Sequence, residues 1–160
     1  MPKRKQSAVP EAVGNTREQL DTKLRGVTRE LATLNRELAS QMVLLASQTG
    51  ETAPLISAVE ALRQVQAHLA REDRTEANTR DTADVHHALA STLFKLGRAQ
   101  NDVEALEASV GAYRTAITLA SLLGDDDWRI EIRTEYDVAL AALRARASDG
   151  PSDISALRVA

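Results

Sequence analysis

Apolar residues recur at helical spacing along most of this chain. Leu20, Leu24, Val27, Leu31, Leu34, Leu38 and Leu45 follow alternating steps of four and three, with Met42 one place off the slot at Gln41. That is the heptad seam of a coiled coil. It predicts a long helix over about 16–48, with Asn15 as N-cap and Glu18 completing a capping box. Gly26 lies inside this helix, where it costs ~1 kcal/mol relative to alanine and offers a place to bend.

Four further helices follow from the same reasoning. A turn at 49–52 leads to a helix over 53–70, with Thr52 as cap and Pro54 in the first turn. Its apolar face is Leu55, Val59, Leu62, Val65 and Leu69. Residues 71–80 are polar and read as a loop. The next helix, 82–96, turns Val85, Leu89, Leu93 and Leu96 inward, and Gly97 is its expected stop. Asn101 and Glu104 form a second capping box that opens a helix over 102–123. Val103, Leu106, Val110, Tyr113, Ile117 and Ala120 make its inner face, and Gly124 ends it. Asp125, Asp126 and Asp127 put acid where a helix N-terminus is positive. The fifth helix, 128–147, carries Trp128, Ile132, Tyr136, Ala139, Leu140 and Leu143.

The predicted fold class is therefore all-α, with one helical domain at 15–147. Residues 1–14 read as a disordered basic arm and 148–160 as a flexible tail. Composition agrees: apolar residues reach 43% but aromatic ones only 2%, so leucine, valine, isoleucine and alanine must build the core. None of the four prolines, at 2, 10, 54 and 151, interrupts a helical pattern.

Sliding the chain against itself by 51 positions superposes leucines, alanines and an arginine. Leu38, Ala39 and Ser40 fall on Leu89, Ala90 and Ser91. Leu55, Val59, Ala61 and Arg63 fall on Leu106, Val110, Ala112 and Arg114. A second step of 51 brings Leu89 and Ala90 onto Leu140 and Ala141. Small residues recur where helices must approach closely: Ala39 and Ala90 in the first helix of each unit, Ala58 and Ser109 in the second. The unit is a helical hairpin.

In the second unit, Leu89-Ala90, Leu93 and Gly97 precede Ser109, Tyr113, Ala116 and Ile117. This pattern resembles the tetratricopeptide repeat family. His86 stands where that family has tryptophan, the turn is about seven residues longer, and the closing proline is missing. The resemblance implies antiparallel hairpins that stack, with the first helix of each lining a face that holds a peptide or helix of another protein. Carried over position by position, that face falls on Arg36, Ser40, Val43 and Leu44, then on Asp84, His87, Ser91, Phe94 and Lys95. Phe94 is the expected anchor.

The remaining chemistry is sparse. With no cysteine, the chain has no disulfide, thiolate metal site or cysteine nucleophile, which suits a reducing cytoplasm. Of the three histidines, His86 and His87 point about 100° apart on one helix, and no metal-ligand spacing includes His68. The three aspartates lack the pattern of a calcium loop. No phosphate-binding loop or nucleophile elbow is present. No catalytic residue, metal or cofactor is assigned, and a non-enzymatic binding module is expected. The net charge of −3 makes nucleic acid an unexpected partner, though Lys3, Arg4 and Lys5 could touch phosphates. No apolar run approaches the ~20 residues of a membrane span. The alternative is a structural protein that self-associates. Leu20, Leu24, Val27 and Leu31 would project past the shorter helices and pair with a second copy.

Overall fold

The computed structural model describes residues 9–148, with side chains from Gly14 onward. The basic cluster Lys3-Arg4-Lys5 and the predicted tail beyond Ser148 lie outside the described residues. Five helices and no strand are found among them: α1 Val9–Thr49, α2 Ala53–Leu69, α3 Glu76–Gln100, α4 Val103–Leu122 and α5 Asp126–Ser148.

Three helix termini, the start of α1 and both ends of α3, depart from expectation by more than two residues, and several expected caps are replaced, each for a local reason. Helix α1 starts seven residues before 16, at Val9. Pro10 then sits in the first turn, where its missing N–H has no helical partner to lose. Asn15 and Glu18 are consequently interior, not a cap. Thr52 makes no side-chain cap to α2; its hydroxyl accepts from Gln100 Nε2 at 3.1 Å. Residues 76–80 are helical because Thr75 caps α3 and accepts from the Asn78 amide at 3.1 Å. A cap of this kind contributes about 1 kcal/mol.

Gly97 does not stop α3. The helix runs on to Gln100, and Asn101 takes the left-handed conformation at φ 54°, which its short polar side chain tolerates. Asp102, not Asn101, caps α4: its carboxylate accepts from the amides of Glu104 at 2.9 Å and Ala105 at 3.3 Å. Asp125 accepts from the Trp128 amide at 3.2 Å, so α5 begins at Asp126. Gly124 ends the α4 segment at φ +69°, as its sequence position predicts.

Consecutive helices pack against each other, and α3 also touches α5. Cross-helix bonds give the directions. Asn35 with Gln64, Gln66 with His86, Ser109 with Ala90 O, and Tyr113 with Glu135 each join residues at similar distances on either side of a short connection, so neighbouring helices run antiparallel. Arg80 with Asp125, His87 with Glu135 and Asn101 with Arg146 keep a nearly constant separation along the chain, so α3 and α5 run parallel; α1 and α3, each antiparallel to α2, run parallel as well.

Two main clusters form the core. One joins Ala39, Ala46, Leu55, Ala58, Val59, Leu62, Leu89, Leu93 and Leu96. The other joins Ala90, Val110, Tyr113, Ala116, Ala120, Ile132, Tyr136 and Ala139. The small residues expected at close approaches are buried there: Ala39, Ala58, Ala90 and Ser109 are all 2% exposed or less. The burial pattern repeats at 51 between the first two units, with Leu55 and Leu106, Val59 and Val110, and Ala61 and Ala112 all buried. The next step is 49, not 51. Ala83 and Ala90 correspond in burial to Ile132 and Ala139, whereas Ala141 is exposed.

The largest departure is in α1. Its buried positions are Ala32, Ala39 and Ala46, one per heptad, and the leucine stripe faces the other way. Alanines let α2 approach the α1 backbone closely, which leucines would prevent. Val103, expected inside, is 40% exposed. It is the first residue of α4, before that helix meets its neighbours.

Candidate functional site

Parallel α1 and α3 leave a cleft between them, with α2 behind. Its volume is about 330 Å³. Ala39, Leu62 and Val85 supply apolar surface, and Arg36, Ser40, Asp84, Ser91 and Lys95 surround it. Val43 also lines it. The cleft exists because α1 and α3 present Ala39, Ala88 and two serines here, and nothing large fills the space between their axes.

Arg36 is anchored at one end, its guanidinium 3.5 Å from the Asp81 carboxylate and 3.3 Å from the Asp81 carbonyl. Lys95 stands further along α3, beyond Asp84. The opening is thus apolar at its base with both signs of charge at its edge. Its volume lies at the lower end of ordinary ligand sites.

Six of the nine residues predicted for a binding face come together here: Arg36, Ser40, Val43, Asp84, Ser91 and Lys95. Leu44 is 51% exposed and lies outside the cleft. His87 and Phe94 lie on the other side of α3. Phe94 is half-buried and packs against the cluster shared by α3, α4 and α5, with Arg98 5.8 Å over its ring.

His87 belongs to a polar network that sequence reading did not find. Its Nε2 is 3.0 Å from Glu135 Oε2, and the Tyr113 hydroxyl donates to the same oxygen at 2.9 Å. The His87 ring lies 6.1 Å from Tyr113 and 6.3 Å from Trp128. Arg80 stacks over Trp128 at 5.7 Å and pairs with Asp125 at 3.1 Å. Burial pushes the Tyr113 hydroxyl well above the usual phenol range, and the Glu135 hydrogen bond and charge add to it; a Ser91 hydrogen bond opposes the shift. Tyr113 thus stays a proton donor and holds Glu135 in place. The only sequence cue was the shared helical phase of Tyr113 and Glu135 with their core faces.

His86 serves the fold. It lies 3.1 Å from Gln66 Nε2, an arrangement that needs an unprotonated His86 Nε2. Burial lowers its pKa from the usual 6.5. The unfolded chain therefore takes up this proton first, and stability contributed by neutral His86 is complete above about pH 6.5. It is lost as pH falls below that value toward the lowered folded pKa. The melting temperature of the protein should drop more between about pH 7 and about pH 5 than that of His86→Gln. Parallel pH profiles for the two would contradict this role.

The other sequence candidates are structural in their contacts. His68 lies 3.7 Å from Glu72, one helical turn on. Asp126 pairs with Arg129 at 2.9 Å. Among the described residues, no helix is long and apolar enough to cross a membrane. Comparison with family models, curated proteins and solved structures finds no match for this chain.

Proposed function

We propose that this protein is a non-enzymatic binding module that holds a peptide or helix of another protein in the α1–α3 cleft. The observation that carries this reading is the convergence of Arg36, Ser40, Val43, Asp84, Ser91 and Lys95 on one opening about 330 Å³ in volume. The antiparallel neighbours and parallel α1, α3 and α5 suit tandem hairpins of the tetratricopeptide type, whose first helices line such a face. The cleft favours an apolar anchor side chain with charged neighbours, because its base is aliphatic while Arg36, Asp84 and Lys95 surround it. The lack of cysteine suits a cytoplasmic setting.

Ser40 is exposed and lines the opening without entering the core. Ser40→Trp should therefore fill the cleft while changing stability by no more than about 0.5 kcal/mol. A displayed peptide library selected on the protein should yield binders that lose about tenfold or more in affinity to Ser40→Trp. Binders indifferent to Ser40→Trp and to Asp84→Arg would place the site elsewhere.

A further inference from the structure

The leucine stripe of α1 is the largest feature the fold leaves unused. Leu20, Leu24, Val27, Leu31, Leu34, Leu38 and Leu45 are between 41% and 63% exposed. Together they expose on the order of 600 Å² per chain, the upper end of what a monomer leaves uncovered. Two such stripes face to face would bury on the order of 1,200 Å², within the range of stable interfaces.

The internal repeat shows what this face is built to meet. Fifty-one residues on, Leu34, Leu38 and Leu45 correspond to Val85, Leu89 and Leu96 of α3. Those three are 1%, 5% and 8% exposed, because α2 lies across them. Helix α2 runs antiparallel to α3 there, from Thr52 beside Gln100 to Gln66 beside His86. Helix α1 has the same socket, and none of the described helices packs into it. It also has what could fill one: the start of α1 extends beyond the body, since no side chain described from Gly14 to Leu31 is buried.

We propose that two copies of this chain pair through α1, antiparallel, each extension lying in the open socket of the other. The register follows from the sequence. Laying Val9 of one copy against Thr49 of the other aligns the two helices end to end. The same register sets Leu20 on the partner's Leu38, Leu24 on the partner's Leu34 and Val27 on the partner's Leu31, each twice by symmetry. Every seam position from 20 to 38 then has an apolar partner.

Charge selects this orientation over the parallel one. Parallel pairing would stack Arg17 on Arg17 and Gln41 on Gln41 in the seam. Antiparallel pairing sets Arg17 against the partner's Gln41, which can accept its hydrogen bonds. It also flanks the seam with two pairs of Lys23 and the partner's Glu37, where parallel pairing matches no opposite charges. The one adverse contact is Glu30 with its own copy near the symmetry axis, at an edge that solvent screens.

The test uses the full chain. Sedimentation equilibrium at micromolar concentration should give a dimer. Leu24→Lys combined with Leu31→Lys should raise the dissociation constant at least about a hundredfold, because each copy gives up two buried leucines. That variant keeps cooperative unfolding, since both side chains are exposed in a single chain. The protein has no cysteine of its own, so introduced thiols report the register. Mixing Leu24→Cys with Leu34→Cys chains under mild oxidation should give the mixed disulfide, and neither variant alone should cross-link. A monomer at all concentrations, a trimer or larger species, or a disulfide from Leu24→Cys alone would each overturn the proposal. Because Ser40 is not in this seam, Ser40→Trp should leave the dimer intact, so dimerisation and cleft binding can fail independently.

Discussion

Replacing Tyr113 with alanine is expected to remove about 3–5 kcal/mol of folding stability. Tyr113 is 1% exposed and is the largest fully buried side chain. It stands in α4 where α3 and α5 converge, packed with Ala90, Val110, Ala116, Ile132, Tyr136 and Ala139. Most of these neighbours are small or β-branched, so they cannot swing into the space an alanine would leave. The loss would be a large share of the about 5–15 kcal/mol that an ordinary domain has to spare. Tyr113→Phe separates the ring from the hydroxyl. It keeps the packing and removes the bond to Ser91, which borders the open cleft, and the bond to Glu135, whose carboxylate is half-exposed and can turn to water or keep His87. That change should cost about 1 kcal/mol. Urea unfolding of the three proteins, read at the midpoint with the slope held, measures both numbers. A cost below about 1 kcal/mol for Tyr113→Ala would mean that this cluster does not hold α5 to the body.

Gly97→Val should be nearly as damaging, with a loss of about 3 kcal/mol or more. A Cβ built on Gly97 would meet Leu106 Cγ at 2.8 Å and the Leu106 backbone nitrogen at 3.0 Å. Leu106 is 1% exposed, and its nitrogen belongs to the first turn of α4, so neither can retreat without separating the two helices. The comparison that isolates this effect is Gly111→Ala. Gly111 is also helical, but nothing lies within 4 Å of the Cβ it would gain. There the usual helix preference applies, and Gly111→Ala should stabilise the protein by about 0.5–1 kcal/mol. Two glycines in adjacent helices should thus answer opposite ways to an added side chain. Thermal melts of Gly97→Val and Gly111→Ala beside the parent decide it.

Parts of the core could be read in advance because they rest on local periodicity. Leu55, Val59, Leu62, Val65 and Leu69 recur every three or four residues, and a helix with that pattern has one face to bury. All five are buried. The six cleft residues come from the resemblance to tetratricopeptide repeats, carried over position by position; the 51-residue register by itself pairs only Ser40 with Ser91 among them. His87 and Phe94 have nearly the same phase as Asp84, Ser91 and Lys95 but turn toward α5. Which side of α3 each reaches depends on where α1 and α5 lie, and that is not a property of α3. The network of His87, Glu135 and Tyr113 joins three helices across 22 and 48 residues of chain. No local pattern marks such a meeting.

The amino-acid sequence by itself determined that this protein is helical, where most of its turns fall, and which face of α2, α3 and α4 is apolar. Helix propensity, period and turn chemistry act over a few residues, so they are written locally. Only the tertiary structure decided which apolar face becomes core. In α1 the strongest hydrophobic stripe stays outside, and the alanines at 32, 39 and 46 go in. Close approach of α2 needs small side chains, and among the described helices only α2 packs extensively on α1. The tertiary structure also turned Gly97 from an expected helix stop into the contact that lets α4 lie against α3. Burial depends on what another element brings to the contact, and that partner is distant in the chain.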